Sequence, residues 1–289
     1  MGYRVNIILD SISNAGCRLT TFEVTFPRIV LAEFNTHRMF SRNSASSRAI
    51  PISTMLHRVQ TDPFVPTVWG KNQKGMQAAE GLDPEAEAKA RIQWLLARDH
   101  AVTTVQRLQM PDIDLHKQTA NRLLEPWLWH TVLVTATEYQ NFFALRDNAM
   151  AMPEIQTPAR MMRELYASHT PNPPYMGSDG FGWHLPLVTD EDKEELRGSH
   201  EGVQALVKLS CARCARVSYL THDGKRDLDE DFRLYHRLRA AGHMSPFEHA
   251  AREPYCRPFP AFPERSMYGN FLGWVQHRKQ LPHENVFQG

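Results

Sequence analysis

Cysteine is scarce in this chain, four in 289 residues, and Cys17, Cys211, Cys214 and Cys256 are too few to staple a chain of this length. Cys211 and Cys214 form one C-x-x-C pair with no second pair, which is half of a structural zinc's ligand set. Two small residues on a partly buried segment, and no metal, is the expected reading. Long apolar runs are missing too: none approaches the roughly 20 residues of a membrane-spanning helix. The opening MGYRVNIILDS lacks the apolar stretch of a signal peptide, so a cytoplasmic protein with no membrane partner is expected. Charge of one sign is nearly absent, the formal net charge being +1. That argues against long polyanions such as nucleic acid, while local arginine clusters can still hold a small phosphorylated ligand. There is no glycine-rich phosphate loop, and no cysteine stands in the polar clusters described below, which argues against a thiolate nucleophile.

What is present suits a soluble folded chain: 42% hydrophobic and 22% charged residues support a sizeable core. Tyr3 to Leu9 and Leu19 to Phe26 alternate apolar and polar side chains and predict half-buried strands. Pro27 ends the second, and the spacing of Val30, Leu31 and Phe34 predicts a helix over about Arg28 to Arg38, with Glu33 and His37 on one face. Prolines and glycines from Ile50 to Leu82 predict a surface excursion. Asp83-Pro84 then reads as the start of a long helix striped by Ile92, Leu95, Val102 and Val105. A second helix is predicted over Lys117 to Ala136 and a third after Pro153. Ser168 to Gly182 reads as loop, Val203 to Leu209 and Phe232 to Leu238 as helices, and His222 to Lys225 as the polar turn between them. No composition shift divides the chain, so residues 1–289 are expected to form one domain with loop insertions at about 50–82 and 168–190.

Four polar clusters are candidates for chemistry. Thr36 to Arg48 holds three arginines, one histidine and four serines. Serine hydroxyls and turn N–H groups can cup phosphate oxygens, and an Arg48 fork supplies charge-assisted bonds; a solvated basic loop is the alternative. In the second, Gln118 and Arg122 are helical neighbours, Arg122 reaching a phosphate or pairing with Glu125. The third is Asn141-Phe142-Phe143-Ala144-Leu145-Arg146. In the fourth, Gly242 to His249, Ser245-Pro246-Phe247-Glu248 has the form of a helix N-cap with a capping-box Glu, compatible with a ligand role.

Together these clusters resemble the flavin-dependent thymidylate synthases (the ThyX family). That family carries Arg-His-Arg, seven residues, then Ser; here stand Thr36-His37-Arg38, Ser46 after seven residues, and Arg48. Asn141 to Arg146 with Pro153-Glu154-Ile155 resembles its Asn-Phe-Leu-x-Leu-Arg segment. His243-Met244-Ser245-Pro246-Phe247-Glu248-His249 resembles its His-x-Thr-Pro-Phe-Glu-His segment, and Ala215 to Tyr219 its Ala-Arg-Val-Ser-Tyr strand start. The last two precede the others in the family and follow them here, so the order resembles a circular permutation of the phage-encoded kind. Gly273 to Lys279, with Glu284 and Asn285, echoes the Arg-His-Arg element; a surface helix is expected there, with Gln276 or Arg278 reaching the ligand site as the alternative.

The resemblance implies an α+β (α/β) fold, an antiparallel or mixed sheet flanked by long helices. It implies a methyltransferase that moves a one-carbon unit from methylenetetrahydrofolate to C5 of dUMP, giving dTMP, with FAD as cofactor and NADPH as reductant. FAD would meet His37, Arg38, Asn43, Asn141, His243, Ser245 and Glu248. The nucleotide would meet Ser46, Ser47, Arg48, Gln118, Arg122 and Arg146, with Arg146, Ser46 and Glu248 closest to the chemistry. A homotetramer with sites assembled between subunits is implied as well. The sequence departs from the family at Thr36 (for Arg), Ser44 (for Glu), Ala49 (for Tyr) and Met150 (for His). Ser44 and Ala49 leave open a relative that makes another 5-modified pyrimidine nucleotide, hydroxymethyl-dUMP or methyl-dCMP. An inactive nucleotide-binding protein is a third reading.

Overall fold

A computed structural model describes residues 2–78, 80–197, 201–219, 227–255, 266–282 and 284–285, with Ser218 and Tyr219 as backbone alone. The turn read at His222 to Lys225 and Cys256 lie outside these residues. Strands β1 (Arg4–Ile12) and β2 (Arg18–Pro27) form where the alternation places them. The helix read over 28–38 is shorter: a 3-10 turn (Arg28–Val30), then α1 (Leu31–Asn35). Next comes β3 (Ser41–Ser44), inside the polar cluster that had no strand signal. The excursion from Ile50 to Leu82 contains α2 (Ile52–Thr61), which buries Met55 and Val59, four apart on one face. Asp83 caps α3 (Pro84–Leu108), accepting from the N–H groups of Glu85 and Ala86 at 3.0 and 2.9 Å. Of its predicted stripe Val102 and Val105 are buried, whereas Ile92 is 56% exposed.

The segment Lys117 to Ala136 corrects the sequence reading. Only α4 (Lys117–Ala120) is α-helical; a 3-10 turn follows (Asn121–Trp127) with Pro126 inside it, then β4 (Trp129–Ala136). Pro126 breaks the helix and Thr131, Val132, Val134 and Thr135 are β-branched, stiff side chains that favour a pleated strand. Beyond it lie α5 (Gln140–Arg146) and α6 (Pro153–Ser168). The stretch read as loop holds β5 (Tyr175–Met176) and β6 (Gly182–His184). Then come α7 (Asp190–Glu195), α8 (Val203–Tyr219), α9 (Leu228–Ala240), β7 (Ala251–Arg252), β8 (Val275–Gln276) and α10 (His277–Gln280).

Three further expectations change. Ala215 to Tyr219 ends helix α8 and does not begin a strand. Within it Arg213 pairs with Asp192 and Asp231, and Arg216 with Asp231 at 2.7 Å, tying α8 to α7 and α9. Ser245 makes no capping bond: Ser245–Glu248 is a 3-10 turn entered from Met244. The tail is not a surface helix, because Trp274, Val275, Gln276 and His277 are all buried.

The two sheets are antiparallel, ordered β1-β2-β4-β3 and β5-β6-β7-β8, and the expected α+β class holds. One face of the first sheet carries Phe22, Val24, Phe26, Val132 and Val134 against Phe34, Phe40, Phe142 and α6. On its other face Leu133 meets Cys214 and Val217 of α8, where burial pushes the Cys211 and Cys214 thiols up and leaves them inert. A buried polar chain joins the sheets: Ser11 Oγ to His184 Nδ1 (2.9 Å), His184 Nε2 to Thr21 Oγ1 (2.8 Å), Thr21 to Thr135 (2.7 Å), and Thr135 to His249 Nδ1 (2.8 Å). Among the described residues no helix is long and apolar enough to cross a membrane, and no group of three His, Cys, Asp or Glu could hold a metal ion.

Candidate functional site

Helix α5 buries Phe142 and Phe143 and leaves Arg146 at its C-terminal end, where a cation complements the helix dipole. The guanidinium reaches α1's end: Nε donates to His37 Nε2 at 2.9 Å and Nη2 to Thr36 Oγ1 at 3.2 Å. Among the described residues Nη1 has no partner. An arginine only donates, so His37 Nε2 is an acceptor and the ring's proton sits on Nδ1. Phe142 stands edge-on to the His37 ring, centroids 4.9 Å apart, and Phe40 lies beside it at 5.8 Å. Burial first, then the charges of Arg146 and Arg42, lower the His37 pKa to about 4. The imidazole is therefore neutral at pH 7 and leaves the positive charge on Arg146.

These residues line a cavity of about 250 Å³ with Arg38, Met39, Glu138, Asn141 and Leu145. Thr36 and Arg38 continue into a neighbouring concavity with Asn35 and Arg42. Ala32 and Asn35 lead on to one holding Arg28, Arg122 and Glu125, and Arg28 opens into a fourth with Arg58 and His130. The result is a furrow along α1 and the start of β4 edged by six arginines. Glu125 accepts from Arg122 (2.8 Å) and Ser47 (2.6 Å) and pairs with Arg28 (3.0 Å), so Arg122 is held by Glu125 as the i,i+3 spacing allows.

The structure brings His37, Arg38, Asn141 and Arg146 together and sets Arg122 farther along the furrow. Ser47 lines the fourth concavity but is only 1% exposed and donates to Glu125. Asn43 is buried on β3 and donates to the Cys214 carbonyl at 3.2 Å. Ser46 and Arg48 stand exposed in one turn, the Arg48 N–H reaching Ser46 Oγ at 3.4 Å. Gln118, His243 and Ser245 are exposed too. Glu248 is paired with Arg278, which also grips Glu284 at 2.7 Å, and Gln276 donates to the Glu248 carbonyl and to Ser41 Oγ, each at 3.1 Å. None of Ser46, Arg48, Gln118, His243, Ser245 and Glu248 lines the furrow. Sequence reasoning missed Arg28, Arg42, Arg58 and His130. Arg42 faces opposite to the buried Ser41 and Asn43 on β3, a placement that the polar cluster, with no strand signal, did not reveal.

A donor-rich rim over an apolar floor of Met39, Phe40, Phe142 and Leu145 suits a planar ring carrying phosphates. An apolar floor for a ring and arginines for phosphates are the two features that a flavin nucleotide would need of its site. No protein-family model matches the chain, and no curated protein matches it. Among solved structures it is similar to the UMP/dUMP methylase PolB from Streptomyces cacaoi bound with 5-Br UMP. The identity is 17% over 57% of this chain and 88% of that one, with a TM-score of 0.45. The same protein bound with 5-Br dUMP gives 17% over 57% and 90%, with a TM-score of 0.42.

Proposed function

We propose that this chain is a flavin-dependent thymidylate synthase of permuted order, transferring a one-carbon unit from methylenetetrahydrofolate to C5 of dUMP with FAD and NADPH. The observation that carries the reading is Arg146, fixed by His37 and Thr36 with one guanidinium nitrogen unengaged over a basic, apolar-floored cavity. Side chains cannot supply hydride, and bound FAD, once reduced by NADPH, would supply it. The chain's own part is positioning and charge. Arg146 donates to a pyrimidine oxygen as negative charge builds on the ring, while neutral His37 holds the fork in place. Asn141 and Arg38 bound the ring pocket, and Arg42, Arg28 and Arg122 orient phosphates through binding energy remote from the reacting carbon.

Arg48, Ser46 and His243, exposed and off the furrow, complete the site from a neighbouring subunit of a homotetramer in the cytoplasm. Ser44 and Ala49 favour a second reading, a relative that makes another 5-modified pyrimidine nucleotide. The test incubates the protein with FAD, NADPH, methylenetetrahydrofolate and either dUMP or dCMP and identifies the product by mass spectrometry. dTMP from dUMP is expected. A modified cytidylate selects the second reading, and no product from either nucleotide, or a strictly monomeric species in sedimentation, overturns both.

A further inference from the structure

The C-terminal stretch Tyr268 to Gln276 takes no part in the proposed reaction, yet its Phe271, Trp274, Val275 and Gln276 are buried. Phe271 and Trp274 pack with Leu19 and Ala251, Trp274 Nε1 donates to the Cys17 carbonyl at 3.0 Å, and Val275 and Gln276 pair with β7. These contacts fix the stretch to the start of β2 and to the second sheet. From that base it reaches both walls of the Arg146 cavity. Asn270 Nδ2 donates to the Met39 carbonyl at 2.9 Å, and the Leu272 N–H donates to Thr137 Oγ1 at 3.0 Å. Met39 lines the cavity beside His37 and Arg38, and Thr137 precedes Glu138, which lines it beside Asn141 and Arg146. The Asn270 amide is itself held, Oδ1 accepting from Ser41 Oγ at 3.2 Å and from Gln276 Nε2 at 3.0 Å. Turning it over would set its NH2 against that of Gln276, so the donor toward Met39 is fixed.

The sheet does not hold those walls by itself. The β3–β4 ladder ends at the pair Ser41 and Thr135, and Met39 and Thr137 stand just past it, where the chain joins α1 on one side and α5 on the other. Phe40 packs on Tyr139 and Phe142, ring centroids 5.0 and 5.1 Å apart, but apolar contact is non-directional and leaves the spacing to hydrogen bonds. Farther out, the bonds from Arg146 to His37 and Thr36 span the gap. They depend on each wall standing where the tail holds it, and a shift of about 1 Å in such a placement can cost about a hundredfold in rate.

We infer that the tail is a strap across the rim of this cavity and that Asn270 and Thr137 are positioning residues, setting the spacing at which Arg146 meets His37. The inference rests on the proposed function only for its effect on turnover, so its test has two arms. In the first, nuclear magnetic resonance of the full chain without ligand follows solvent exchange of the Arg146 Nε–H, assigned by its absence from Arg146→Gln. Asn270→Asp keeps the oxygen that faces Ser41 and Gln276 but turns the donor to Met39 into a second acceptor. Thr137→Val keeps the side chain's shape and removes the acceptor of the Leu272 N–H. Each is expected to quicken exchange at least about fivefold, the scale of one net hydrogen bond. Asp83→Ala, which removes the cap of α3 at a comparable cost in stability, is expected to leave it unchanged. In the second arm, with FAD, NADPH, methylenetetrahydrofolate and dUMP, both strap variants lower kcat about tenfold with nucleotide KM within a few-fold, and neither lowers it further in an Arg146→Gln background. Circular dichroism establishes that the variants are folded. The inference is overturned if both folded strap variants exchange as the unaltered protein does, if Asp83→Ala quickens exchange as much as they do, or if their effects on kcat add in full to that of Arg146→Gln. An unaltered protein that makes no product overturns the proposed reaction alone, and the exchange rates then decide the inference by themselves.

Discussion

Arg146 arrives at its cavity with Nε and Nη2 already engaged, by a neutral imidazole and a hydroxyl. Neither partner cancels its charge, so the guanidinium is held in one orientation while remaining a full cation for a ligand. Replacing it with Gln removes that charge and the fork together. We expect Arg146→Gln to lower kcat by about a hundredfold, the scale of one lost transition-state donor, with nucleotide KM within a few-fold and flavin retention unchanged. Steady-state kinetics with absorbance of the bound flavin read both; an unaltered kcat contradicts the role. His37, Arg38, Asn141 and Arg146 were legible in the sequence because each sits in a short motif whose residues stay neighbours after folding. Arg28, Arg58 and His130 were not, since they meet only when the end of β2, the last turn of α2 and the start of β4 come to the same place.

At the scale of elements, the patterns that misled were short ones. Leu123, Leu124, Trp127 and Leu128 have helical spacing, and that rhythm hid the start of β4 until the register Phe22 to Val134 and Val24 to Val132 placed it at the sheet's centre. Long periodic segments such as α3 and α6 were plain, whereas two-residue strands such as β7 and β8 exist only through their cross-strand partners. The turn into β8 shows how tightly the tail is fitted. Gly273 has φ 70° and packs against Cys17, whose Sγ a Cβ there would meet inside van der Waals contact. Gly16 has φ 79° but open space around it. Ala at either site meets the left-handed cost of about 1–2 kcal/mol; only Gly273→Ala adds a clash inside a buried cluster with Leu19, Phe271 and Trp274. Urea denaturation is therefore expected to show a larger loss for Gly273→Ala than for Gly16→Ala. Equal losses would mean that the tail yields without resistance.

Across the whole molecule, the feature with the largest consequence is a set of histidines buried in neutral form. Desolvation lowers the pKa of His130, His184 and His249 to about 3 and of His277 to about 4; the Asp10 charge opposes this at His184, and Arg28 and Arg239 reinforce it at His130 and His277. Unfolded, each returns to about 6.5. Between those values the unfolded chain binds more protons than the folded one, so stability rises with pH. The contribution is therefore complete above pH 6.5 and is lost as pH falls through the interval toward 4. Each imidazole removes about 1.4 kcal/mol per pH unit in that window. Four acting together can exhaust a stability of about 5–15 kcal/mol within two or three units. Two of them, His184 and His249, are links in the hydroxyl chain between the sheets, so protonation there also replaces an acceptor with a second donor and parts the sheets. We expect the urea midpoint to be flat above pH 7, to fall steeply below 6.5 and to vanish near pH 4. His184→Gln, with one titrating group fewer, lowers the midpoint at pH 7 and flattens the acid slope. A midpoint that stays constant from pH 7 to pH 4.5 would show that these rings are charged, or solvated, in the folded protein.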